Sequence, residues 1–116
     1  MQTYNQMVVG TPPTESGTDR LFAALADRTR RDIVRCVMQG EHSVSNLARR
    51  YPMSFAAVQK HVAVLERAGV VTKRRCGREQ LVSGNVHAIR RAAMLLDEVE
   101  AIWHGRIERI DELLAD

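Results

Sequence analysis

Aromatic residues are scarce in this chain. Two Phe, two Tyr and one Trp make up 4% of its 116 residues, so aliphatic side chains must build the core. Cysteine is nearly missing as well: Cys36 and Cys76 are the two thiols, far apart in sequence, and they give no disulfide framework. No apolar run approaches the roughly 20 residues that a membrane-spanning helix needs. The N-terminus has no apolar stretch after a basic start, so no signal peptide is expected and a reducing cytoplasm is the default compartment. Internal repeats and low-complexity tracts are absent. So are a nucleophile–base pair, a phosphate-cradling glycine loop and paired carboxylates, which together with the small size argues against an enzyme.

What is present is an uneven charge. The net charge of +3 divides into a balance of +7 over Asp19–Asn85, −3 over Val86–Asp116 and −1 over Met1–Thr18, where Glu15 is the only charge. Positive charge gathered in one segment suits a polyanion partner. A chain of this length is one small domain, and it can bury part of its apolar surface against a second copy.

Three segments follow from the patterning. Residues 1–18 are polar and turn-rich, with Gly10, Pro12, Pro13 and Gly17, and read as a flexible arm; lacking Arg and Lys, the arm is not expected on DNA. Residues 19–85 hold a compact helical pattern. Asp19 can cap a first helix, Arg20–Ala26. A second helix, about Thr29–Met38, turns Ile33, Val34 and Val37 to one side and ends at Gly40. Ser43 opens a third, with Val44, Leu47 and Ala48 on one face, and Pro52 forbids its simple continuation. Ser54 can cap a fourth, Ser54–Ala68, with Val58, Val62 and Leu65 inward, and Gly69 ends it. Val70–Ser83 then folds back around Cys76-Gly77-Arg78 as a β-hairpin carrying Lys73, Arg74, Arg75 and Arg78 near its tip. Residues 86–116 form a long helix.

The fold class expected is therefore mainly α: about five helices with a two-stranded β-hairpin wing. Two short helices joined by a turn can present the second to a DNA major groove, and a cationic hairpin beside it can reach phosphate or the adjacent minor groove. On the last helix Ile89, Ala92, Leu96, Val99, Trp103, Ile107, Ile110 and Leu114 recur at spacings of three and four. One small domain rarely covers a stripe of about eight turns alone. Packing on the same helix or the first helix of a second subunit is expected, with packing inside the chain as the alternative. Gly105, inside the stripe, marks a kink or a close helix approach.

The segment Leu25-Ala-Asp-Arg-Thr-Arg-Arg-Asp-Ile-Val34 resembles the opening signature of ArsR-type winged-helix repressors, which read Leu-Ala-(Asp/His)-x-Thr-Arg-Arg-x-Ile-Leu there. Ser54–Val71 is similar to the family's recognition helix, Ser-x-x-x-Val-Ser-x-His-Leu-x-Val-Leu-x-x-Ala-Gly-Leu-Val. Arg75-Cys-Gly-Arg78 matches its wing turn, Arg-x-Gly-Arg. The likeness covers about Leu21–Gly84, in order and at the right spacing. It implies a homodimeric, cytoplasmic bacterial transcription regulator, usually a repressor, whose partners are double-stranded DNA and a second copy, with no catalytic residues. Gln59 stands where most members have Ser, so the operator sequence is expected to differ.

Within that frame Ser54, Phe55, Ala56, Ala57, Gln59, Lys60 and His61 are expected at the major groove. The Gln59 amide can pair with adenine N6 and N7, Lys60 can reach guanine or phosphate, and the alanines can approach a thymine methyl. His61 can donate to phosphate, or bond a backbone carbonyl near the junction of helix and wing. Arg74 and Arg78 are the wing candidates. Ser43 and Ser45 open the third helix, whose N–H groups can bind phosphate, and Arg49 and Arg50 add charge there. Leu21, Leu96, Val99, Trp103, Ile107, Ile110 and Leu114 are expected between subunits, where the Trp103 region is interface core or an apolar effector pocket.

No metal and no cofactor are expected. The family's Cys-x-Cys site on the third helix is missing from Ser45-Asn-Leu-Ala-Arg49. Of its Asp-x-His and His-x-x-(His/Glu) pattern on the last helix, only His87 and Glu98 remain, a poor pair for zinc unless they meet across a dimer. Cys36 reads as a small core residue. Cys76 lies beside Arg75 and Arg78, where positive charge favours a thiolate, so a thiol-responsive repressor is one alternative. A winged helix used for protein–protein contact is the other, and duplex binding against competitor DNA separates it.

Overall fold

The computed structural model describes residues 13–115, with side chains from Gly17 onward. Among these residues run α1 (Pro13–Leu25), α2 (Arg28–Gln39), β1 (His42–Ser43), α3 (Val44–Ala48), α4 (Phe55–Arg67), β2 (Val71–Cys76), β3 (Glu79–Gly84) and α5 (Val86–Ala115).

Local chemistry sets the boundaries. α1 begins at Pro13, earlier than the expected Arg20; proline suits a first helical turn because its missing N–H has no intrahelical partner there. Asp19 therefore lies inside the helix and caps nothing. The expected arm is corrected for residues 13–18, which are helical, while residues 1–12 lie outside the described residues. Asp27 caps α2, its carboxylate accepting from the Arg30 backbone N–H at 3.0 Å. Ser43 caps α3 by accepting from Asn46 N–H at 3.0 Å. α3 is shorter than the Ser43–Tyr51 helix the sequence suggests. Pro52 disfavours helical backbone in the residue before it, and Arg49–Tyr51 close instead into a turn, with Arg50 N–H bonded to the Leu47 carbonyl at 3.0 Å. Ser54 caps α4 through Ala57 N–H at 3.1 Å. Gly69, at φ +79°, ends it in the left-handed region that favours glycine.

The hairpin pairs Val71 with Gly84 through Cys76 with Glu79. Only Gly77-Arg78 is left for the turn. Gly77 has φ +63° and no non-glycine residue among the described residues has positive φ, the pattern of a type II′ hairpin turn. The wing is part of a three-stranded sheet in the order β1-β3-β2, where a two-stranded one was expected. The third strand is His42–Ser43, paired with Val82 and Leu81; two residues are too few to carry an alternating pattern.

Leu21, Ile33, Leu47, Val58, Val62 and Leu65 from the helices meet Val70, Val71 and Val82 from the sheet side, all fully buried. This core is aliphatic, as the shortage of aromatics requires. Leu21 is 0% exposed, which corrects its expected place between subunits: its side chain points into its own domain, and Phe22 is the exposed neighbour on α1. α5 buries Ala88 and Ala92 in the core and packs Ile89 against it. Past Ala92 none of its residues is buried, and it runs unbroken through Gly105. A Cβ on Gly105 would meet only the Arg109 guanidinium, at 3.7 Å, so no close approach among the described residues explains that glycine. The radius of gyration is 19.4 Å, against about 13 Å for a compact chain of this length.

Candidate nucleic-acid interface

α4 is seated by its buried row Val58, Val62 and Leu65. The helical repeat then turns Phe55, Ala56, Gln59 and Lys60 outward, and all four are exposed; Ala57 is half-buried beside them. Phe55 keeps 46% of its surface in solvent, a large apolar ring at the very N-terminus of the helix. Ser54 is exposed as well, but its hydroxyl is committed to the cap.

The signature Leu25–Val34 has a structural reason. Asp27 starts α2, while Arg30 and Arg31 reach back to the last carbonyls of α1. Arg30 Nε donates to Ala24 O at 2.6 Å and Nη2 to Ala23 O at 3.2 Å; Arg31 Nη1 donates to Leu25 O at 2.8 Å. Cations suit the negative end of a helix. Arg30 Nη1 also donates to His61 Nδ1 at 3.3 Å. A guanidinium has no acceptor, so Nδ1 accepts and the ring proton sits on Nε2. The Asp27 carboxylate is 3.9 Å from the same Nδ1. The Arg30 N–H holds the Asp27 carboxyl below its ordinary range. His61 is thus half-buried against the α1–α2 corner, not at the junction of helix and wing where its structural role was expected.

The wing carries a further correction. Arg74 is clamped by Glu41, with Nε donating to Oε2 at 3.1 Å and Nη2 to Oε1 at 2.9 Å, and Ser83 donates to the same carboxylate at 2.8 Å. The Arg74 and Ser83 hydrogen bonds lower the Glu41 pKa. Arg74 therefore fastens the wing to the loop before β1 and is not the free arm its charge suggested. Lys73 likewise pairs with Glu66 of α4 at 3.4 Å, which ties the wing to the helix beside it. Arg78, at the tip, is exposed and has no ion pair or hydrogen bond among the described residues. Arg75 and Cys76 are exposed next to it, and Arg75 donates to Gly77 O at 3.3 Å.

At the start of α3 the two serines part company. Ser43 is buried and occupied as the cap, which removes it from the expected phosphate surface; Ser45 is exposed. Tyr51 anchors the turn toward α4, its hydroxyl donating to Asp32 Oδ2 at 2.6 Å. Burial, with that bond, pushes the Tyr51 phenol up to about 12. Arg49 and Arg50 are exposed on the same edge. Glu41, Asp27 and Arg30 were not singled out from sequence. Apart from the local Asp27–Arg30 cap, three residues apart, their hydrogen-bond partners lie 6 to 42 residues away, and only the fold brings those together.

A protein-family model described as a helix-turn-helix domain matches residues 25–74. A solved ArsR-like transcriptional regulator from Rhodococcus sp. RHA1 is 30% identical, with a TM-score of 0.76 over 88% of this chain and 96% of that one. The chain belongs to the ArsR family. A solved possible transcriptional regulator for arsenical resistance is 35% identical, with a TM-score of 0.64 over 84% of this chain and 95% of its own. The HTH-type transcriptional regulator Rv2034 of Mycobacterium tuberculosis is 44% identical over 64 residues. That match spans 55% of this chain and 60% of the relative's length. This ArsR-family chain is a transcriptional regulator of the winged helix-turn-helix type. No helix among the described residues is long and apolar enough to cross a membrane.

Proposed function

We propose that the protein is a homodimeric, cytoplasmic repressor that binds an inverted-repeat operator through α4 and the wing. The single observation that carries this reading is the outward row of α4. Phe55, Ala56, Gln59 and Lys60 are exposed on α4 and the unpaired Arg78 is exposed at the wing tip, while Glu66 and Glu41 are paired with Lys73 and Arg74. The surface therefore offers an amide for base edges, apolar groups for thymine methyls and free cations for phosphate. Lys60 and Arg78 supply the salt-dependent part of the affinity.

The two-fold partner is a second copy held by α5. Leu96, Val99, Trp103, Ile107, Ile110 and Leu114 all remain exposed in the single chain, an apolar face too large for a monomer to leave in water. Residues 19–85 thus act as the DNA-binding unit and residues 86–116 as the dimerisation helix. Two symmetric copies of α4 fit half-sites about one helical turn apart, and a dimer seated over a promoter blocks polymerase. The test is selection of bound genomic fragments followed by titration of labelled duplex against competitor DNA. Retention of a distinct sequence set at excess competitor supports the proposal. Equal loss of all fragments, or none bound at low salt, defeats it and favours a protein-contact role for the winged helix.

A further inference from the structure

Along the flank of α4 that runs on from Lys60 to Val64 and Arg67, a cleft of about 490 Å³ opens between α1 and the last turn of α4, lined among others by Arg20, Ala23, Arg30, Val64, Arg67 and Ala68. Two helix faces meet there. Arg20 and Ala23 stand one turn apart on α1, and Val64, Arg67 and Ala68 on α4. Three guanidinium groups line this cleft and no carboxylate does. Arg20 and Arg67 are exposed and have no hydrogen bond or ion pair among the described residues. Arg30 is differently employed. Its Nε and Nη2 occupy the Ala24 and Ala23 carbonyls at the end of α1. That removes the partial negative charge that would otherwise repel an anion at this wall.

The floor is apolar. Val64 is partly buried and Ala68 buried, and Ala23 opens to the cleft with no polar side chain. A concave, mostly apolar site with a few convergent charges, in the size range of small-molecule pockets, selects an amphiphilic ligand. Planar guanidinium forks select a carboxylate or phosphate oxygen pair above other anions. We propose that this cleft binds a small carboxylic acid with an aliphatic or aromatic body. The carboxylate lies between Arg20 and Arg67, and the body rests on Val64, Ala68 and Ala23. The ligand bridges α1 to the helix assigned above to DNA, but its binding stands whether or not that assignment does.

The experiment is calorimetric titration of the full chain, without DNA, using decanoate, decanol and inorganic phosphate as probes. Decanoate is expected to bind with one site per chain, with decanol and phosphate each at least tenfold weaker. In Arg20→Ala/Arg67→Ala decanoate binding should fall roughly tenfold or more, the loss of a charge-assisted pair. Ala23→Leu keeps all three charges and fills an exposed position of the wall; it should weaken decanoate and leave phosphate unchanged. Circular dichroism confirms that both variants are folded. Equal binding of decanol places the ligand on an apolar surface and overturns the proposal. Equal binding of phosphate makes the site a plain anion site and overturns the amphiphile assignment. Undiminished decanoate binding in either folded variant puts the ligand elsewhere.

Discussion

At the scale of single residues, the interface divides cations that are free from cations that are spoken for. Arg74 and Arg78 look alike in sequence, four positions apart in one basic run. The structure gives Arg74 a bidentate carboxylate and leaves Arg78 unpaired. Arg78→Ala should therefore weaken binding to every duplex and reduce the slope of log affinity against log salt by about 1 for each wing, about 2 for the dimer. Arg74→Ala should leave that slope within error; its cost is a loosened wing. Fluorescence anisotropy over a salt series reads both. Gln59→Ala makes a different prediction. Losing one amide–adenine pair costs about 1–3 kcal/mol at one operator position and relaxes the preference there, which a single-base substitution series measures while the salt slope stays fixed. Asp27 and Glu41 act on stability. Both carboxyls titrate below their ordinary values in the folded chain, so each contributes stability that is present above the unfolded carboxylate pKa of about 4 and is lost as pH falls through the lower folded value. Asp27→Asn should flatten the acid limb of the unfolding curve, recorded by circular dichroism from neutral pH downward.

At the scale of elements, the buried rows and the caps of α3 and α4 were legible because each is local, whereas the Asp19 cap expected for α1 fails because that helix starts earlier, at Pro13. Ser43 and Ser54 precede apolar periods and cap as expected, and Gly69 and Gly77 stand where the chain needs positive φ. The exposed row of α4 follows from its buried row by simple helical geometry. What could not be read depends on distant neighbours. β1 exists only because β3 offers it an edge. The Glu41 clamp exists because β1 carries that loop to the wing. His61 turns to the α1–α2 corner because Arg30 waits there. Leu21 faces its own core and not a second subunit, because one turn of apolar residues leaves open which of Leu21 and Phe22 faces inward. Replacing the α4 cap, Ser54→Ala, should cost about 1 kcal/mol of stability. Chemical denaturation gives that number, and the loss should weaken duplex binding without altering which base is preferred at the Gln59 position.

At the scale of the whole molecule, the chain is a small winged domain with a long helix whose apolar stripe lies exposed beyond Ala92. Trp103 and Leu114 keep 54% and 78% of their surfaces in solvent in the single chain. Val99→Asp/Ile110→Asp should convert a dimer to a monomer in analytical ultracentrifugation and leave the winged domain folded, because neither side chain belongs to its core. Binding to a full operator should then fall far more than binding to one half-site.

The most direct test of paired α4 helices on B-form DNA is a footprint of the intact protein on its selected operator, at single-nucleotide resolution and with the stoichiometry measured in parallel. Paired α4 helices require two chains per duplex and two symmetric protected half-sites about one helical turn apart, with the Gln59→Ala variant altering the same base in each. One chain on a single unsymmetrical site, or protection that the Gln59 and Arg78 variants leave unchanged, would contradict that pairing.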